Sequence, residues 1–171
     1  MNSKIRMENP FKSEDLKTES SPHRILVVDD EELIRNLVVK VLSELAHSWI
    51  TAIDGVDGLN KMGENKFDAV ITDITMPNMD GIILTREISK QYPAIPVMVM
   101  VGFDEEYSVG TAISVGAREF IKKPFSLDEF AIRLHKMVHD FEILGRPKTE
   151  KDAEENVQEL VSELEEAIKK K

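Results

Sequence analysis

Asp29, Asp30, Asp73 and Lys123 are the residues of this chain whose types and placement could do chemistry. Each falls at or just past the end of a short apolar run. Ile25-Leu26-Val27-Val28 runs into Asp29-Asp30, Ala69-Val70-Ile71-Thr72 into Asp73, and Phe120-Ile121 into Lys122-Lys123-Pro124. Three carboxylates crowded together repel one another unless a cation holds them. Cysteine is absent and no histidine falls at a strand end, so the ligands of such a cation are oxygens. Magnesium suits a site of few carboxylates, water and a phosphate. A carboxylate can itself be the nucleophile in phosphoryl transfer, giving an aspartyl phosphate. Catalysis is then mostly positioning, with charge neutralised by metal and lysine.

These residues converge only if the runs that carry them are parallel strands of one sheet. Arg24 to Val28, Ser48 to Ala52, Phe67 to Asp73, Val97 to Val101 and Arg118 to Ile121 read as strands. Phe67 to Asp73 is near-continuously apolar, the mark of a strand covered on both faces. Glu31 to Leu45 carries apolar residues at helical spacing (Leu33, Leu37, Val38, Val41, Leu42, Leu45). Further helices are expected at Val56 to Gly63, Gly81 to Gln91, Asp104 to Val115 and Leu127 to Phe141, with Pro93 and Gly116 as stops. Five strand-then-helix units predict an α/β fold, a doubly wound five-stranded parallel sheet with right-handed crossovers. Ligands of such sheets bind beyond the carboxyl ends of the strands, where all four residues fall.

The 171 residues accommodate one ordinary domain with appendages. A net charge of -10 argues against non-specific nucleic-acid binding, which needs Lys and Arg on phosphates. No apolar run has the length of a membrane span, and the amino terminus lacks a secretory core, so a soluble cytoplasmic protein is expected. Residues 1–22 are polar and aperiodic and are expected to form a disordered arm. Residues 144–171 are expected to form a linker and an amphipathic C-terminal helix. Thr149 with Asp152 makes a capping-box-like start, and Val157, Val161, Leu164 and Ile168 make one apolar seam. That seam, about two heptads long, suits packing on its own domain and homodimerisation through the helix equally well.

Taken together, Ile25-Leu26-Val27-Val28-Asp29-Asp30-Glu31, Val70-Ile71-Thr72-Asp73, Met76-Pro77-Asn78-Met79-Asp80-Gly81 and Lys123-Pro124-Phe125 resemble the receiver domain of two-component response regulators. The resemblance covers roughly residues 23 to 141, within a domain drawn at 23–143. It implies a flavodoxin-like receiver fold with Asp73 as phosphoacceptor and Lys123 pairing with the phosphate. Asp29, Asp30, Asp73 and the Thr75 backbone carbonyl would hold Mg2+, the Lys123–Pro124 bond would be cis, and Phe120 would be the aromatic switch. One position departs from the family: the fourth strand normally ends on Thr or Ser, and here it ends on Val101. Valine has the shape but no donor, so a hydrogen bond to the phosphoryl oxygen worth about 1.5–3 kcal/mol is lost. Phe103 adds a bulky ring where a small or polar residue is common.

Each residue also has a plainer reading. Asp30 could cap the first helix, Asp73 and Asp80-Gly81 could be turn residues, and Lys123 could be a surface lysine. Trp49 reads as a packing residue, and His23, His47, His135 and His139 as surface or helix-face residues. The leading expectation is a receiver, not a turnover enzyme, that takes a phosphoryl group from a histidine kinase or phosphotransfer protein. Its output would be a changed protein-binding surface, since little chain follows the last helix of the domain for a DNA-binding or catalytic module. A phosphorylation-independent scaffold, uncoupled by Val101, is the alternative. A phosphatase using an aspartyl-phosphate intermediate would need a second Asp two residues past Asp73, where Thr75 stands.

Overall fold

The computed structural model of the chain describes residues 21–144 and 161–169. Strands and helices alternate: β1 Arg24–Val28, α1 Glu32–Glu44, β2 Ser48–Ala52, α2 Gly55–Glu64, β3 Ala69–Asp73, α3 Gly81–Gln91, β4 Val97–Val101, α4 Ser108–Ser114, β5 Glu119–Lys122 and α5 Leu127–Leu144. A further helix, α6, spans 161–169. All sheet pairings are parallel, in the order β2-β1-β3-β4-β5. The expected doubly wound five-stranded sheet with an extra C-terminal helix is therefore present.

Strand side chains alternate between two cores, as the period-2 pleat requires. Ile25, Val27, Ile71, Met98 and Met100 pack with Val38, Leu42, Phe130 and Leu134 of α1 and α5. Leu26, Val28, Val70, Val99 and Val101 face the other way, onto Met62, Leu84, Ile88 and Ala112 of α2, α3 and α4. Each fully buried Val, Ile or Leu contributes about 1.5–3 kcal/mol, which pins the strand register. Register in turn sets which residues stand at the carboxyl edge: Asp73 pairs with Met100 and Val101 with Lys122.

The loops at that edge are tied to one another. Asp54 caps α2 by accepting from Asp57 N–H at 2.8 Å, and its other oxygen accepts from Asn78 Nδ2 at 2.8 Å. Gly55 N–H donates to Met79 O at 3.2 Å, stitching the loop after β2 to the loop after β3. Gly81 opens α3 directly against the end of β3, and a Cβ there would lie 1.9 Å from Asp73 O.

Several expectations change. The helix expected over Asp104 to Val115 is instead a 3-10 turn, Phe103–Glu105, followed by a seven-residue α4. The Glu105 side chain turns back onto Gly102 N–H, which holds the tight turn rather than extending the helix. Glu31, not Asp30, is the N-cap residue of α1, so the capping reading of Asp30 fails. His23 and His47 are buried against each other rather than on the surface. Trp49 lies on the edge strand β2, partly covered, and Phe103 is 82% exposed. Residues 1–20 of the N-terminal arm lie outside the described residues, as do Thr149, Asp152 and Val157 of the tail. Among the described residues no helix is long and apolar enough to cross a membrane.

Candidate functional site

Asp29, Asp30 and Asp73 meet at the carboxyl edge of β1 and β3, with one carboxylate oxygen from each within 4.8 Å of the others. Asp29 is wholly buried and Asp73 nearly so, while Asp30 is exposed at the rim. Asp29 is held from three sides. Its N–H donates to Ala52 O at 3.1 Å, its carbonyl accepts from Arg35 Nη1 at 2.7 Å, and its Oδ1 accepts from Glu31 N–H at 2.9 Å. Lys123, delivered by the end of β5 through a cis peptide to Pro124, places Nζ 3.0 Å from Asp73 Oδ1 and 3.6 Å from Asp29 Oδ2. The expected quartet is thus assembled in one place.

The electrostatics show one cation serving too many anions. Burial pushes the Asp29 carboxyl up to about 6; the charges of Asp73 and Asp30 add to this, while the Glu31 N–H and Lys123 offset part of it. Burial likewise raises Asp73, with Glu105 adding to the rise and Lys123 and the Ile74 N–H opposing it. Burial alone would lower the Lys123 ammonium, but the carboxylates of Asp73 and Asp29 outweigh it and the net shift is upward. Asp29 Oδ2 is buried and accepts no hydrogen bond among the described residues. Lys123 Nζ stands 3.6 Å away, beyond hydrogen-bond reach and shared with Asp73, so the buried charge of Asp29 is only partly compensated. An all-oxygen cluster of three carboxylates fits a hard divalent cation such as Mg2+.

Thr75 lies two residues past Asp73 on the same loop, its side chain exposed and its hydroxyl donating to Glu105 Oε1. Val101 is wholly buried in the core beneath α2, α3 and α4. Phe120 is partly buried and held by Arg133, whose guanidinium lies 5.7 Å from the ring centroid and donates to Phe120 O at 3.1 Å. Glu105 and Arg133 escaped the sequence reading. The spacing of Gly102 and Glu105 matches the N-cap-to-N3 reach of a capping box and could have flagged Glu105. Arg133 pairs with Glu129 one turn earlier on α5, a spacing readable in the sequence, but nothing local marks its reach to Phe120.

Sheet order, strand-end carboxylates and a lysine at the same edge define a doubly wound α/β domain with an acidic pocket at the carboxyl ends of its strands. The chain belongs to the response regulator receiver domain family, whose pattern matches residues 25–135. It is 31% identical over 141 residues to the alkaline phosphatase synthesis transcriptional regulatory protein PhoP of Bacillus subtilis, covering 82% of this chain and 59% of that one. It is 32% identical over 131 residues to response regulator MprA of Mycobacterium avium, covering 77% of this chain and 55% of that one. The chain therefore spans little more than half the length of these relatives. Among solved structures it resembles the receiver domain of NtrX from Brucella abortus, at 36% identity and a TM-score of 0.65, covering 67% of this chain and 98% of that one. A receiver domain protein from Clostridium thermocellum aligns with a TM-score of 0.67 at 30% identity, covering 71% of this chain and 98% of that one.

Proposed function

We propose that this receiver accepts a phosphoryl group on Asp73 from the phosphohistidine of a histidine kinase or phosphotransfer protein, and signals by changing its affinity for another protein. The observation that carries this reading is the buried Asp73 carboxylate held 3.0 Å from Lys123 Nζ beside the unsatisfied Asp29 Oδ2. An Asp73 oxygen attacks phosphorus, the P–N bond breaks, and its electron pair goes to the donor imidazole, which takes a proton from solvent. Lys123 gives up part of its pairing with Asp73 to meet the new phosphoryl charge. Asp29, Asp30, Asp73 and the Thr75 carbonyl would hold Mg2+, which supplies neutralisation of charge on the transferring group. The domain is a phosphoacceptor rather than a turnover enzyme, runs over 23–143, and acts in the cytoplasm. Its output surface is that of α4, β5 and α5, with Phe120 reporting the state of the site.

A second reading is favoured by one observation: Val101 is buried, apolar and without a donor at the position that would grip the phosphoryl oxygen. A receiver so built could bind phosphate yet not transmit it, acting as a scaffold. Backbone amide NMR in Mg2+ and beryllofluoride, a mimic of the aspartyl phosphate, tests both, with Asp73→Asn as control. The first reading expects shifts that reach Phe120 and α5 and vanish in the variant. Shifts confined to the Asp73 loop would favour the scaffold, and none at all would sink the phosphoacceptor.

A further inference from the structure

We propose that Glu105 is a resident anion which occupies the hydrogen-bond donors that a phosphoryl group on Asp73 would use, and so sets how readily this receiver is charged. The proposal rests on Asp73 being the phosphoacceptor. Glu105 closes the 3-10 turn after β4, and both of its carboxylate oxygens accept hydrogen bonds. Oε2 accepts from Gly102 N–H at 3.0 Å, and Oε1 accepts from the Thr75 hydroxyl. Gly102 directly follows Val101 on the strand beside β3, and Thr75 is two residues past Asp73. Glu105 is also close enough to add to the upward push on Asp73.

A phosphoryl group on Asp73 would bring three further oxygens carrying negative charge, and charged oxygens need donors. Lys123 offers its ammonium. Val101 offers nothing. Two further donors at this edge, the Gly102 N–H and the Thr75 hydroxyl, already give to Glu105. The incoming anion therefore exchanges with a built-in one, and the Glu105 carboxylate leaves for solvent as the phosphoryl group arrives. The carboxylate lies close over the backbone of Gly102: a Cβ there would sit 3.3 Å from Glu105 Oε2 and 3.4 Å from its Cδ. A carboxylate that merely capped the turn would not need Thr75. Here it bridges the loop after β4 to the loop after β3, tying Gly102 to the residue two past Asp73.

The test uses the full chain. Mg2+ is titrated alone, then beryllofluoride is added in saturating Mg2+, reading the Gly102 and Thr75 amides by NMR, with labelling by acetyl phosphate in parallel. Trading one charge-assisted acceptor for open space should tighten beryllofluoride uptake by about tenfold in Glu105→Ala. Glu105→Gln, which keeps an acceptor without the charge, should fall between and guards against a folding defect. Mg2+ alone should bind no tighter in either variant, because each loses negative charge. That opposition of signs separates anion exchange from a general change in the pocket. Unchanged or weaker beryllofluoride uptake in both variants, with uptake still dependent on Asp73, would overturn the latch alone. Absence of any Asp73-dependent uptake, in parent and variants alike, would instead overturn the phosphoacceptor reading and the latch with it.

Discussion

Asp29 carries a charge that the fold on its own holds poorly. Its carboxyl rises from 3.8 to about 6, mainly through burial. Between those pH values the folded chain binds more protons than the unfolded one, so this group favours the fold at low pH and that contribution is lost as pH rises from about 4 to 6. A shift of about two units corresponds to roughly 3 kcal/mol. His47 runs the other way: burial, with His23 and His135 nearby, lowers it from 6.5 to about 4, so its contribution is lost as pH falls through that window. A difference between parent and variant cancels the histidine. In chelator, Asp29→Asn is expected to melt above the parent at pH 7.5, with the gap closing toward pH 4. Mg2+ should raise the parent's midpoint more at pH 7.5 than at pH 5, because ligands must be deprotonated, and should do little for the variant. Thermal melts across pH 4 to 8 check both. Asp29, Asp73 and Lys123 were legible as the polar ends of apolar runs. The reach of Glu105 to Thr75 and of Arg133 to Phe120 was not, since each joins two different elements.

The turn from β3 into α3 is the element on which the site depends most. Gly81 N–H donates to Ile74 O at 2.7 Å, and an added Cβ would meet Asp73 O at 1.9 Å. The neighbour is backbone and cannot swing aside, so Gly81→Ala must lift α3 off the strand end that carries Asp73. Overpacking of this kind costs about 1–3 kcal/mol. Gly63, inside α2, meets nothing within 4 Å, and Gly63→Ala should instead stabilise by about 1 kcal/mol. Urea unfolding of the two variants should therefore move in opposite directions, and only Gly81→Ala should also weaken beryllofluoride uptake. The strands were legible because a doubly covered sheet writes itself as apolar runs. The start of α4 was not: Asp104, Glu105 and Glu106 suit the acidic first turn of a helix, while the backbone there obeys a side-chain hydrogen bond from Gly102 N–H to Glu105.

At the scale of the molecule, α6 presents Val161, Leu164 and Ile168 at 47%, 61% and 72% exposure. An apolar seam left in water favours a partner, and we propose a second copy of the helix. So short a seam binds weakly, because isolated helices of this length are marginal. Sedimentation is expected to show concentration-dependent self-association of the parent and none for Leu164→Ser with Ile168→Ser. A mass unaffected by the substitutions would assign the seam to another protein or to its own domain.

The amino-acid sequence by itself determined the parallel sheet, the alternation of strands and helices along the chain, and the three aspartates and lysine at its carboxyl edge. Apolar runs that end on charge leave a chain few other ways to bury its core and solvate its ends. Only the tertiary structure decided that Asp29 Oδ2 is buried without a hydrogen bond, that Asp30 does not cap α1, and that Glu105 ties Gly102 to Thr75. Those facts depend on how far apart three loops stand once the strands are in register, and no local pattern in the chain carries that distance.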